Sequence, residues 1–236
     1  VCEIMFKFTE YVMKFAPIGV FGAISATIGQ NGIGVLASYA KLIGITYLSL
    51  VVFVVLVLIV ACKIIRVSFR SLMKTIKEPA LLAFTTASSE AALPKGMELM
   101  EKVGVPKSIV SFVMPMGYTF NLDGSTLYLT LATLFCAQIA GIDLSIEQQL
   151  MIMLTLMLTS KGIAGVPRVS LVILTGTLTS FGLPVAGVAI LLGIDQILDM
   201  GRTTVNLIGN CIATAVVARW ENDFDHEKME KFVKTL

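Results

Sequence analysis

Asp195, Asp199, Arg202, Asn206 and Asn210 recur at spacings of three, four and seven along the stretch DQILDMGRTTVNLIGN. Such positions share one face of an α-helix. Thr203 lies beside them, and Ile197, Leu198, Val205, Leu207 and Ile208 fall opposite. Oily sequence flanks the stretch, GVAILLGI before it and CIATAVVA after it. A charge at mid-membrane costs about 2.5–3.5 kcal/mol on insertion scales, so Asp195, Asp199 and Arg202 together oppose insertion by about 8–10 kcal/mol before any pairing. Two readings follow: an internal Asp–Arg clamp, or a ligand site. A buried ion pair is a poor source of stability, which favours the ligand. The planar fork of Arg202 suits a carboxylate. Asp199 suits an ammonium, and Asn206 can donate to a second carboxylate. Two carboxylates and one ammonium describe an acidic amino acid.

Two further groups could carry a coupling ion. FNLDGS, residues 120–125, breaks its helix at Gly124 and gathers Asn121, Asp123 and Ser125 at the break. Unwound carbonyls with a carboxylate form a hard-oxygen cation site. The alternative is a kinked helix in which Asp123 caps the new N-terminus. Glu90 lies among Ser88, Ser89 and Ala91. A carboxylic acid desolvated at that depth holds its proton more tightly and can carry it, or it serves as a helix-terminus carboxylate.

The elements that position these residues belong to a membrane protein. Hydrophobic residues make up 56% of the 236 and charged residues 14%, against about 25% charged in soluble domains; mean hydropathy is +0.87. The net charge of +2 says little about nucleic acid, and with no basic tract interleaved with aromatics no nucleic-acid partner is expected. Cys2, Cys62, Cys136 and Cys211 stand singly in apolar surroundings, without zinc-site spacing. The one histidine, His226, lies in a polar tail and reads as solvated. The chain opens at Val1 inside an apolar amphipathic segment with no signal peptide, and the expectation is that an N-terminal portion precedes it.

Between Lys41 and Lys63 runs the clearest span, LIGITYLSLVVFVVLVLIVAC, which meets the roughly 20 residues needed to cross a bilayer. Before it, Ile4 to Gly29 reads as a helix interrupted at Pro17. Beyond it, TTASSEAALP and LTSKGIAGVP each place a small, polar tip inside an apolar segment, and each ends in Ala-x-(Leu/Val)-Pro. Both read as helical hairpins that enter the membrane and return on the same side. Each precedes a long helix bearing a buried aspartate, Asp123 or Asp195. Paired interrupted segments in two halves of a chain mark a transporter site at the bilayer midplane. Lys63, Arg66, Arg70, Lys74 and Lys77, then Lys95, Lys102 and Lys107, place one side in the cytoplasm. GIDLSIEQQ and SFGLPVAG carry no bases and face outside. The final helix returns to the cytoplasm at Arg219, and the tail with Lys228, Lys231 and Lys234 stays there. The two hairpins therefore open in opposite directions.

TTASSEAALP, NLDGS, SKGIAGVP and DQILDMGRTTVNLIGN together resemble the dicarboxylate/amino acid:cation symporters, the glutamate transporter family, and most of all its bacterial proton/glutamate-aspartate members. The resemblance spans the chain and corresponds to the C-terminal half of a family member. It implies an all-α integral membrane protein with two inverted re-entrant helical hairpins, part of the glutamate-transporter fold. In that frame residues 1–66 hold two scaffold-side membrane helices, the family's fifth and sixth. Residues 67–218 form the transport core, and residues 219–236 a cytoplasmic tail. The full-length protein is then a homotrimer in the cell's inner (plasma) membrane, needs no cofactor, and is no enzyme. Its core moves as an elevator, with the second hairpin as the outer gate.

Residue by residue, the resemblance implies that Ser89 and Asn206 hold the α-carboxylate. Asp199 takes the ammonium with the Val166 carbonyl, Arg202 with Ser125 takes the side-chain carboxylate, and Thr203 lines the site. Thr119, Asn121, Asp123, Ser160 and Asn210 fall where sodium-coupled members place cation ligands, Asn121, Asp123 and Asn210 being the candidate sodium ligands. Sodium-coupled members usually carry Asp at the Asn210 position. Asn there, with Glu90 in the first tip, points to proton coupling through Glu90, with a mixed sodium/proton mode left open. Lys161 and Arg168 flank the second tip, where Gly is commoner at the Arg168 position; Arg168 adds affinity for acidic substrates or snorkels. A C4-dicarboxylate substrate is the near alternative, opposed by the unpaired charge of Asp199. An intramembrane aspartyl protease using Asp123 with Asp195 or Asp199 is the remote one, opposed by Arg202, which would keep both acids ionised.

Overall fold

The computed structural model describes Tyr11, residues 15–161 and residues 169–235, and all their regular structure is helical. Helix α1 spans Ala16–Asn31. Pro17 sits in its first turn, where a missing N–H breaks no ladder bond. Helix α2 runs Val35–Ile64 and is the one helix among the described residues long and apolar enough to cross a bilayer. Within it, Val54–Leu58 is wound as a π-turn. Tyr39, Leu42, Thr46 and Leu50 form its buried stripe. The phenols of Tyr39 and Tyr47 donate to the Ile190 and Ile197 carbonyls, tying α2 to the last part of the chain.

Helices α3 (Phe69–Thr86) and α4 (Ser89–Lys102) pack against each other across a two-residue turn. Ala87 takes the left-handed conformation that ends α3, and the Ser88 hydroxyl accepts from the Ala91 N–H at 3.3 Å to cap α4. At 14 residues α4 is about 21 Å long, short of a hydrocarbon core of about 30 Å. Helices α5 (Lys107–Phe120) and α6 (Asp123–Ile139) are collinear in sequence but broken between them. The break falls at Asn121 and Leu122, not at Gly124, which lies inside α6. Leu122 occupies the cap position of α6 with no side-chain cap bond, so Asp123 does not cap the helix it opens.

Helix α7 (Ile146–Thr159) starts on a capping box between Ser145 and Gln148. It packs with α8 (Val169–Ser180), and the tip between them, with Val166 and Arg168, lies outside the described residues. The final segment is two helices rather than one: α9 (Ala186–Leu191), then α10 (Asp195–Trp220). The interruption places Asp195 in the first turn of α10, where the helix dipole favours a carboxylate. Helix α10 is not amphipathic in practice. It packs against α2, α3, α4, α5 and α6, so Leu198, Val205, Leu207 and Ile208 are buried along with the polar stripe, and of that apolar face Ile197 alone is exposed. The tail does not stay free. Helix α11 (His226–Val233) folds back, Phe224 and Met229 are buried in the core, and the His226 ring meets Phe224 edge-on at 5.0 Å.

Buried apolar residues fall into two clusters. One gathers α3, α4, α5, the C-terminal part of α10 from Leu207 onward, Phe224 and Met229. The other gathers α6, α7, α8, α9 and α10 only as far as Leu198. Helix α2 serves both, with Leu58 and Cys62 in the first and Val35, Tyr39 and Leu42 in the second. Between Leu198 and Leu207, α10 contributes to neither, and the polar stripe occupies that gap.

Candidate functional site

The gap is filled by a hydrogen-bonded polar belt. Arg202 is 1% exposed. Its Nε donates to Asp199 Oδ1 at 2.8 Å and its Nη1 to Asp195 Oδ1 at 3.2 Å. The guanidinium lies 4.3 Å from the centre of the Tyr128 ring, a cation–π contact, and the Tyr128 hydroxyl donates to Asp195 Oδ1 at 3.0 Å. Thr203 donates to Asp199 Oδ1 at 2.9 Å. Of five guanidinium N–H groups, these bonds use two. The Asp199 side chain keeps 11% of its surface open while that of Asp195 is sealed. Asp199 is thus the carboxylate a ligand can reach, and Asp195 the one that anchors the fork. Asp195 Oδ2 has no partner among the described residues.

One turn on, Asn206 does the capping that Leu122 cannot. Its Oδ1 accepts from the Gly124 and Ser125 N–H groups at 2.8 and 3.3 Å, and its Nδ2 donates to Ser125 Oγ at 2.9 Å. These are orphan donors of the first turn of α6. The positive end of α6 therefore points into the belt. Ser125 is bonded to Asn206 here rather than to Arg202.

The third layer is Asn121, Asp123 and Asn210. With its amide nitrogen turned to donate, Asn121 reaches the two Asp123 oxygens at 3.1 and 3.2 Å, and its oxygen lies 3.1 Å from the Asn210 amide. Glycines allow this closeness. A Cβ on Gly209 would stand 2.8 Å from Asp123 Oδ2, one on Gly124 would stand 2.5 Å from the Arg202 carbonyl oxygen, and one on Gly117 would strike Asn210. Ser160, fully buried, shares a 3.1 Å hydrogen bond with Thr126. Lys161 is exposed and near enough to act electrostatically on Asp123.

The structure thus joins Asp199, Arg202, Thr203, Asn206 and Ser125 in one network, and Asn121, Asp123 and Asn210 in a second beside it. Ser89 and Glu90, half-buried, occupy the first turn of α4, which packs on α10. Thr119 is half-buried near the end of α5. Sequence reasoning missed Tyr128, a supporting surface for Arg202, because a tyrosine within an apolar run carries no spacing signal. It also gave Asp195 no role in holding the fork. The geometry opposes the protease alternative, since Asp195 and Asp199 both accept from Arg202, which holds them ionised.

The profile of the sodium:dicarboxylate symporter family matches residues 1–220. The chain belongs to this family. It is 48% identical over 234 residues to the proton/sodium-glutamate symport protein of Geobacillus stearothermophilus, covering 99% of this chain and 56% of that relative. It is 48% identical over 228 residues to the proton/glutamate-aspartate symporter of Escherichia coli strain K12, covering 97% of this chain and 52% of that relative. To the C4-dicarboxylate transport protein of Bacillus subtilis strain 168 it is 45% identical over 237 residues, covering 100% of this chain and 56% of that relative. The chain spans about half the length of these curated relatives. Family members are symporters and not enzymes, and the all-helical fold suits a membrane protein of that kind.

Proposed function

We propose that this chain forms the substrate- and ion-carrying core of a secondary active symporter that moves L-glutamate or L-aspartate into the cell through the inner membrane. The observation that carries this is the Arg202 fork, buried and with only two of its five N–H groups bonded to carboxylates among the described residues, beside an Asp199 that keeps an open edge. A substrate carboxylate takes the unused donors and competes with Asp199 for Arg202. The freed Asp199 then takes the ammonium. The N-terminus of α6, aimed at the belt, favours the same anion. Asn206 and Ser89 hold the second carboxylate, with Thr203 and Val166 lining the site. Two hairpins that enter and return on opposite sides suit an elevator motion of this core, in a homotrimer when the scaffold is present.

The coupling ion in this reading is the proton, carried by Glu90. The Asn121–Asp123–Asn210 cluster, with Thr119 and Ser160, is the candidate sodium site of a mixed mode. Asn210 lacks the charge that would make it strong. Uptake of labelled glutamate by the full-length protein in vesicles, under imposed proton or sodium gradients, tests this. Proton-driven uptake that Glu90→Gln makes pH-independent is expected, and uptake under neither gradient removes the assignment. A C4-dicarboxylate substrate is the second reading, favoured because Arg202 already neutralises Asp199. If glutamate is the substrate, Asp199→Asn weakens it roughly 10- to 150-fold, the worth of a hydrogen bond to a charged group, and leaves succinate unaffected.

A further inference from the structure

We infer that the exposed face of α3 binds the phosphate headgroup of an anionic phospholipid. Arg70, Lys74 and Lys77 lie four and three residues apart and share one face, all exposed. Leu81 continues that face and is 59% exposed. The opposite face, with Leu72 and Ile76, is fully buried. None of the three cations has a carboxylate partner among the described residues, and the adjacent acid, Glu78, faces Lys95 at 3.9 Å. Lys63 and Arg66, also exposed and unpaired among the described residues, extend the positive surface to the end of α2, the helix long enough to cross a bilayer.

The sequence of chemistry along this face decides the ligand. From Arg70 to Leu81 the helix rises about 16 Å, from three cations to bare leucine. A soluble anion accounts for the cations but makes no use of Leu81 on the same face. A phospholipid accounts for both, with its phosphate among the cations and an acyl chain along Leu81. Clusters of four to eight basic residues immediately beyond a membrane span recognise anionic headgroups, and five stand here within fifteen residues.

Native mass spectrometry of the full-length protein in detergent, titrated with phosphatidylglycerol or phosphatidylcholine, tests the inference. Wild type should retain phosphatidylglycerol in preference. The triple variant Arg70→Gln, Lys74→Gln, Lys77→Gln should lose that preference by about 100-fold, from the usual worth of three surface cations. Glutamine keeps helix propensity at these exposed sites. The wild type alone gives a second reading, since its phosphatidylglycerol should be released as salt rises. Equal retention by the variant overturns the inference. So does displacement by millimolar inorganic phosphate, which marks a free-anion site. Protection of Lys74 and Lys77 from an amine-reactive label in lipid-free protein also overturns it, because another part of the protein then covers the face.

Discussion

Arg202 is the residue on which the belt turns. It satisfies Asp195 and Asp199 at once, so its removal strands two carboxylates in a region where Asp195 has no water. Arg202→Met should lower the thermal stability of the solubilised protein by roughly 3–5 kcal/mol, the cost of breaking a buried pair. Adding Asp195→Asn should return part of that loss, because an amide needs no counter-charge. An unchanged melting temperature in Arg202→Met would show that the three groups are hydrated and independent. The Asp199–Arg202 contact belongs to the clamp that the sequence reading allowed by spacing but ranked below a ligand site, since residues three apart on a helix meet. The Asp195 contact is seven apart and needed the long reach of arginine. Tyr128 was invisible, because nothing in STLYLTL separates a ring under a guanidinium from a ring in a core.

At the level of elements, the contact between the broken helix and α10 is set by Gly117, Gly124 and Gly209, whose missing side chains make room for Asn210, the Arg202 backbone and Asp123. Gly124 looked in the sequence like the residue that breaks the helix. Its real work is close approach, and the break falls two residues earlier because Asn206 supplies the cap from another helix. A cross-helix cap has no signature within its own segment. Gly124→Ala should destabilise the protein by about 1–3 kcal/mol, at the upper end because the clash is with backbone. Gly176→Ala, on α8 with open space around it, should instead stabilise by about 1 kcal/mol. Equal melting temperatures for the two variants would refute the packing argument. The first hairpin's helix–turn–helix was legible from its polar tip and the Ala-x-Leu-Pro that closes it at Pro94. The burial of α10 on most of its circumference was not, because a polar stripe on one side reads as one-sided amphipathicity until five neighbours are known.

Across the whole molecule, no buried apolar residue belongs to both clusters, and the belt lies between them together with Leu50 and Val205, which belong to neither. Side-chain packing binds each half mostly to itself, while α2 and α10 run through both and the charged belt adds to them at the seam. Such halves are separate cooperative units in the sense of sub-global opening. Calorimetry of the full-length protein without ligand should show two overlapping heat-absorption peaks, with the earlier transition moving upward as salt bridges are reinforced. Saturating aspartate, which raises stability by about 2.7 kcal/mol at a hundredfold excess over its dissociation constant, should merge them into one. A single peak in both conditions would mean the seam is as strong as the cores. If the peaks do merge, the cargo is also a fastener: the carrier is one solid body only while loaded, and an empty carrier is two bodies threaded on α2 and α10 with a polar seam between them.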